Sequence, residues 1–434
     1  MSQSVKTFGL LGLVALLILG TGFVQSWNSA LLILNMGLVS ALMALGVNLQ
    51  WGFAGLFNVG VMGFVALGGL ATVVIAMPPV RAAWAAGASG VLAALAVGAL
   101  TLALAVWVTR RMARGWPRAL VSLSVLVAGF VIYRALFDPA VAEIERIDPA
   151  LTGYLGGLGL PVVLAWPVGG LLAAGAAWVI GKTALGLRSD YLAIATLGIA
   201  EIIIAVLKNE DWLARGVKNV IGLPRPVPYE IDLQNDPAFV ERATGLGIDA
   251  TTASTLYVKL GYGLMFAVVL IGVLVLAQLA LSSPWGRMMR AIRDNEVAAR
   301  AMGKDVTARH LQVFVLGSAI CGVAGAMMTT LDGQLTPASY QPLRYTFLIW
   351  VMVIVGGSGN NFGAVLGGFL IWFLWVQVEP IGAAVIDLVT SGMADGSWLK
   401  AHLQGSVQHM RLLTMGVILL LVLRFAPRGL LPER

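Results

Sequence analysis

Few side chains in this sequence have the types and spacing that bond-making chemistry needs. His310, His402 and His409 are the three histidines, and 402 and 409 stand two turns apart with no carboxylate or cysteine cluster to complete a metal site. The single cysteine, Cys321, excludes an intrachain disulfide and reads as a small packing residue. Ala176 to Thr183 comes close to the phosphate-loop pattern, but Ala176 replaces its first glycine and the segment closes an apolar run, so no ATP site is expected. Nucleophile elbows and acid–base pairs are lacking too, and neither metal nor cofactor is expected. What remains are polar groups inside apolar runs. Glu201 is one, and a carboxylate there costs several kcal/mol unless it is paired, wet or functional. It belongs either to a translocation pathway or to a hydrated helix end, since Lys208 and Asn209 follow two turns later. Asn35, Asn48, Gln50 and Asn58 carry amides that can bind a zwitterion without adding charge, or join helices to one another. Arg134 and Arg344 fall near run ends, from which they can snorkel to water.

The elements that must position these groups follow from composition. Of 434 residues, 59% are hydrophobic and 11% charged, against roughly 45–50% and about 25% in soluble domains. No soluble exterior can be built from so few charges, and the 52 glycines and 17 prolines suit closely packed, locally broken membrane helices. Runs of about 20 apolar residues lie near 8–25, 29–50, 56–77, 84–108, 118–136, 161–181, 190–207, 256–281, 310–331, 345–358, 362–380 and 410–425. These predict an all-α polytopic membrane protein of about 10–12 spans, in a single domain over 1–434. The run 345–358 is short, and the glycines between 50 and 70 leave open a re-entrant or broken helix. Lys6 and the run after it resemble a signal peptide, but Trp27 and Asn28 lead straight into the next run, so an uncleaved first span is expected.

The net charge of +7 is spread over short basic clusters between runs, a pattern of topology rather than of nucleic-acid binding. Arg110, Arg111, Arg114 and Arg118 form one link, Lys182 and Arg188 a second, the arginines and Lys304 between 287 and 309 a third, and Arg424, Arg428 and Arg434 the end. With twelve spans all four share a side with Lys6, so the positive-inside rule predicts both termini in the cytoplasm. The outer side then receives 208–254, long enough for a small lobe or a flexible loop, and an insertion at 381–409.

The third basic link, 282–309, is partly apolar. Asp294 or Asn295 can cap a two-turn helix there, with Glu296 in its first turn, Gly303 as a left-handed stop and Thr307 as cap of the next span. Val297, Ala298, Ala301 and Met302 share one small apolar face, flanked by Glu296 and Arg300. A surface linker rich in alanine would look similar; a face that docks into a partner's groove is the sharper reading.

Glu296-Val297-Ala298-Ala299 with Gly303 is similar to the loop with which ABC-importer permeases contact their ATP-binding subunits. Ser283 to Gly303, Phe314 to Ala319, Gly322 to Ala326, Pro337 to Tyr340, Val355 to Gly359 with Gly363, and Arg424 to Leu430 together resemble the LivM-type permease of branched-chain amino acid importers. Asp190 to Gly198 with Glu201 is similar too, and Asn48 to Gly60 matches more loosely. The resemblance implies an ABC importer permease fold in a bacterial inner membrane. It implies a LivH-like second permease, two ATP-binding subunits and an external substrate-binding protein as partners. It further implies ATPase coupling through Arg293, Glu296, Val297, Ala298, Ala299, Ala301, Met302 and Gly303, and a substrate pathway that draws on Glu201, Asn58, Asn48 and Asn35. The chain departs from the pattern at Arg215 to Asn219, where a neutral, glycine-rich stretch is usual, and in the 381–409 insertion. Urea or short amides therefore stand as alternative cargo. An ion-coupled secondary transporter is the rival of another class, disfavoured by the lack of several intramembrane carboxylates.

Overall fold

A chain in hydrocarbon must satisfy its own backbone, and each apolar run does so as a helix. The computed structural model describes residues 3–187, 189–393 and 397–433; Arg188 and Arg434 of the basic links, and 394–396 of the insertion, lie outside them. In chain order the principal helices are α1 (Gln3–Val24), α2 (Trp27–Ala54), α3 (Val61–Ala76), α4 (Arg81–Arg111), α5 (Trp116–Glu145), α6 (Val162–Ala184), α7 (Ser189–Asn209), α8 (Ala250–Ser282), α9 (Pro284–Asp294), α10 (Glu296–Ala301), α11 (Val306–Asp332), α12 (Pro342–Gly356), α13 (Asn361–Thr390), α14 (Trp398–Gly405) and α15 (Met410–Phe425). Nine of them, among the described residues, are long and apolar enough to span a membrane, and α14 with α15, bent by 67°, make a tenth if counted as one span.

α3 and α12 are shorter, about 24 and 22 Å at 1.5 Å per residue. Each borders an irregular link that other parts of the protein enclose. Between α2 and α3, Leu56 N–H donates to Gln50 O, Gly60 N–H to the Asn58 side chain and Val59 N–H to Thr196 Oγ1. Trp350 Nε1 reaches Asn58 O at 3.1 Å. Residues 55–60 thus form an irregular link whose backbone groups are met by protein, the condition under which non-helical backbone is tolerated at membrane depth.

α2 forms the centre, packed by α1, α8, α11, α12 and α13. α11 lies beside it and packs on α3 and α6 through small residues. A Cβ on Gly68 would stand 1.9 Å from Gly322 O, and one on Gly322 would stand 2.4 Å from Gly169 O. Backbones approach there as only glycine allows. α4 and α5 form an outlying hairpin whose many exposed leucines and valines suit lipid.

The links sort onto two faces. On one, Leu155 N–H donates to Trp212 O, Arg215 reaches Ala150 O, and β1 (Val220–Ile221) pairs antiparallel with β2 (Gln334–Leu335). Residues 208–254 fold there into short helices, among them Glu230–Gln234 and Pro237–Gly245; Asp236 caps the second of these and Asp249 caps α8. They rest on the first turns of α8, whose 33 residues reach about 50 Å and outrun the roughly 30 Å of hydrocarbon. Part of the 381–409 insertion simply extends α13, through Pro380 to Thr390. The opposite face carries α9, α10 and the C-terminal tail.

Candidate functional site

α9 and α10 are built by local signals. Ser283 caps α9, and the Asn295 side chain accepts from Ala298 N–H at 2.9 Å to start α10. Gly303, at φ +76°, ends it: its N–H donates to Arg300 O and Lys304 N–H to Ala299 O, the paired bonds of a Schellman stop. The next span is capped by Asp305, whose carboxylate accepts from Ala308 N–H at 2.9 Å, and not by Thr307. Asp305 directly precedes the first helical residue, where a side chain can reach the free N–H groups, whereas Thr307 already lies inside α11.

α10 buries none of its residues, and Val297 and Met302 are each 79% exposed. Ala298 and Ala301 are exposed beside them, while Ala299 is half-buried. Arg300 and Glu296 pair at 2.6 Å along the helix, a contact so exposed that it adds only a few tenths of a kcal/mol. Gly303→Val should strain the stop by about 1–2 kcal/mol, since a β-branched residue resists positive φ. Trypsin is then expected to cut faster at Arg300 and Lys304 while the melting temperature of the membrane body is unchanged; equal cleavage rates would show the stop to be unimportant.

Arg293, at the end of α9, turns inward instead. Its guanidinium donates to Gly52 O in the last turn of α2 and pairs with Glu433 at 2.8 Å and with Asp294. Burial works against the charge, but the Glu433 and Asp294 carboxylates outweigh it and hold the pKa up. Arg293 therefore fastens α9 and α10 to α2 and to the tail. The tail is itself bound to the last turn of α12, with Leu430 and Leu431 N–H donating to Val355 O and Gly356 O.

One turn further into α2 lie two amide networks. Asn48 donates to Asn361 at 3.1 Å and accepts from Gly359 N–H, and Asn361 donates to Gln278 of α8 at 3.0 Å. Gln50 donates to Phe314 O and Ser318 of α11, and Asn58 donates to Gln50 at 2.9 Å. Trp51, Phe57 and Trp350 meet edge to face or tilted beside them. Asn48 and Asn58 are thus enclosed and bonded to other elements, and Asn48 lies one turn from Gly52, which Arg293 holds. Asn35 lies apart, fully enclosed between α2 and α8, donating to Lys259 O at 2.9 Å with its oxygen unpartnered. Gln278 and Asn361 complete the amide networks and Glu433 the Arg293 anchor, roles for which none of the three carries a local sequence signal.

Glu201 lies elsewhere, on the exposed side of α7. About 12 Å of helix separates it from Asn209. Among the described residues its carboxylate makes no hydrogen bond or ion pair, and its neighbours on that side, Ile194 and Ile202, are 69% and 63% exposed. No group of histidines, cysteines and carboxylates able to hold a metal occurs among the described residues.

Curated relatives share this sequence in part. The LivM high-affinity branched-chain amino acid transport permease of Salmonella typhimurium is 28% identical over 65% of this chain and 60% of its own length. The probable LivM permease of Methanocaldococcus jannaschii is 26% identical over 64% of this chain and 70% of its own. The xylose transport permease XylH of Escherichia coli is 23% identical over 59% and 58%. The chain thus spans 60% of the length of the Salmonella relative. No solved structure matches. The family described as branched-chain amino acid transport system, permease component, matches residues 119–423. That match runs from α5 almost to the end of α15 and takes in α10 and Arg293, though not Gly52 or Glu433, and the chain accordingly belongs to that family of permease components.

Proposed function

We propose that the chain is the membrane permease subunit of an ATP-driven importer for branched-chain amino acids, set in a bacterial inner membrane with both termini in the cytoplasm. A LivH-like second permease, two ATP-binding subunits and an external binding protein would complete it. The observation that carries this reading is α10: a rigidly capped helix with an exposed apolar face, on the side of the basic links, tied by Arg293 to the central helix. Closure of an ATPase against α10 would move α9, and Arg293 would pass that motion to the end of α2. There the Asn48 and Asn58 networks hold α2 to α8, α11 and α13 and act as an inner gate. Breaking and remaking such bonds lets a bound ATPase bias two membrane conformations, as alternating access requires. Glu201 supports the second permease. An unpaired carboxylate on the outside of a span costs several kcal/mol in lipid, a cost that a partner or a water-filled path between partners would remove.

The xylose permease among the relatives favours sugar as a second cargo. Uptake of labelled L-leucine by cells expressing the whole system tests these readings together. Valine and isoleucine should compete at similar concentrations, urea and xylose should not, and vanadate should stop uptake while a protonophore leaves its initial rate nearly intact. Competition by urea or xylose would reassign the cargo, and collapse under the protonophore alone would favour ion coupling.

A further inference from the structure

Between α2, α11, α12 and α13, on the side of the lobe, lies a cavity of about 310 Å³. At about 30 Å³ per water it takes roughly ten water-sized groups, the scale of a small metabolite. Its wall is unusual in composition: Met36 and Met43 from α2, Met62 from α3, Met328 from α11 and Met352 from α12 all face it. Thioether side chains are flexible and polarisable and mould themselves around branched aliphatic groups. Leu32, 45% exposed at the lobe end of α2, belongs to the same lining, so the cavity reaches the surface there.

One charge enters this apolar wall. Asp332, the last residue of α11, lines the cavity, is exposed, and among the described residues has neither a hydrogen bond nor an ion pair. No lysine, arginine or histidine lines the cavity to neutralise it. Its position compounds the imbalance, because a helix C-terminus carries partial negative charge and α11 is 27 residues long. A carboxylate at that end is disfavoured by its own helix and calls for a cation. The same wall holds donors for a second group. The hydroxyls of Ser339 and Tyr345 have no side-chain hydrogen bond within the described chain, and Trp372 Nε1 is buried without an acceptor.

We propose that this cavity is a binding site, within the single permease subunit, for a small aliphatic ammonium compound of the α-amino acid class. Asp332 and the α11 terminus take the ammonium group, Ser339 and Tyr345 face the carboxylate, and the aliphatic chain lies among the methionines. Apolar walls with a few convergent polar groups are the usual build of small-molecule sites. The place of this site on a transport route rests on the function proposed above; binding itself does not.

Calorimetry on the full-length chain in detergent tests it. L-leucine and 3-methylbutylamine, which keeps the ammonium and loses the carboxylate, are expected to bind and to compete with each other. 4-Methylpentanoate, which lacks the ammonium, is expected to bind at least tenfold more weakly. Asp332→Asn should weaken the first two at least tenfold without changing the melting temperature. The analogue comparison on the unaltered chain stands even if that variant fails to fold. Equal binding of 4-methylpentanoate, no binding of leucine or the amine, or a lipid acyl chain that leucine does not displace would each overturn the proposal. Asp332-dependent binding in a system whose uptake ignores vanadate would retire the importer reading and leave the site; vanadate-sensitive uptake with binding indifferent to Asp332→Asn would do the reverse.

Discussion

An aspartate at Ala298 or Ala301 is expected to leave the chain inserted, folded and bound to its sister permease, while the ATP-binding subunit no longer copurifies. Both alanines are exposed on α10, so neither variant disturbs packing inside the chain. The helix itself tolerates the change, because its start rests on Asn295 and its stop on Gly303. What the variants alter is the face formed with Val297 and Met302. If that face is buried against an ATPase, an added carboxylate must lose its water without gaining a partner, which costs several kcal/mol. At about 1.4 kcal/mol per decade, a cost near 3 kcal/mol weakens the contact roughly a hundredfold, and leucine uptake should fall with it. The check is copurification of the ATPase in detergent alongside uptake in intact cells. Full retention of both would mean that α10 is an ordinary solvated turn, and the ATP-driven reading would lose its main support.

Glu201→Gln should lower uptake by at least tenfold while the amount of assembled complex stays near normal. The substitution keeps the shape and hydrogen-bonding reach of the side chain and removes only the charge. Among the described residues that charge has no partner, so their packing has nothing to lose by its removal, and shedding a costly intramembrane charge can even stabilise α7. A contribution to transport must then come from what Glu201 meets outside this chain, either a group on the second permease or the cargo itself. Assembly is measured by recovery of both permeases on one tag, and transport by initial rates at saturating and low leucine. Undiminished rates at both concentrations would leave Glu201 a hydrated side chain on the helix flank, and loss of the sister permease from the preparation would make its role one of assembly.

The sequence by itself determined the helices and their local ends. All twelve apolar runs coincide with helices because lipid demands a continuous apolar stretch, and continuity is a property of neighbours along the chain. α10 was legible for the same reason: Asn295 and Gly303 act on N–H and C=O groups within a few residues. Thr307 does not cap α11, since capping depends on where the first turn begins, and Asp305, two residues earlier, directly precedes it. Tertiary structure decided what each polar group does. Asn48 finds Gly359 and Asn361 across more than 300 residues of sequence, and no spacing rule links them. Asn35 and Glu201 look alike in sequence, as single polar residues in apolar runs, yet one is enclosed against α8 and the other stands on the outside of α7. Asp332 carries no local signal beside the glycine that ends α11. Its meaning arises only because helices from distant parts of the chain close around it, leaving a negative charge and a negative helix end in an apolar wall with no cation of their own.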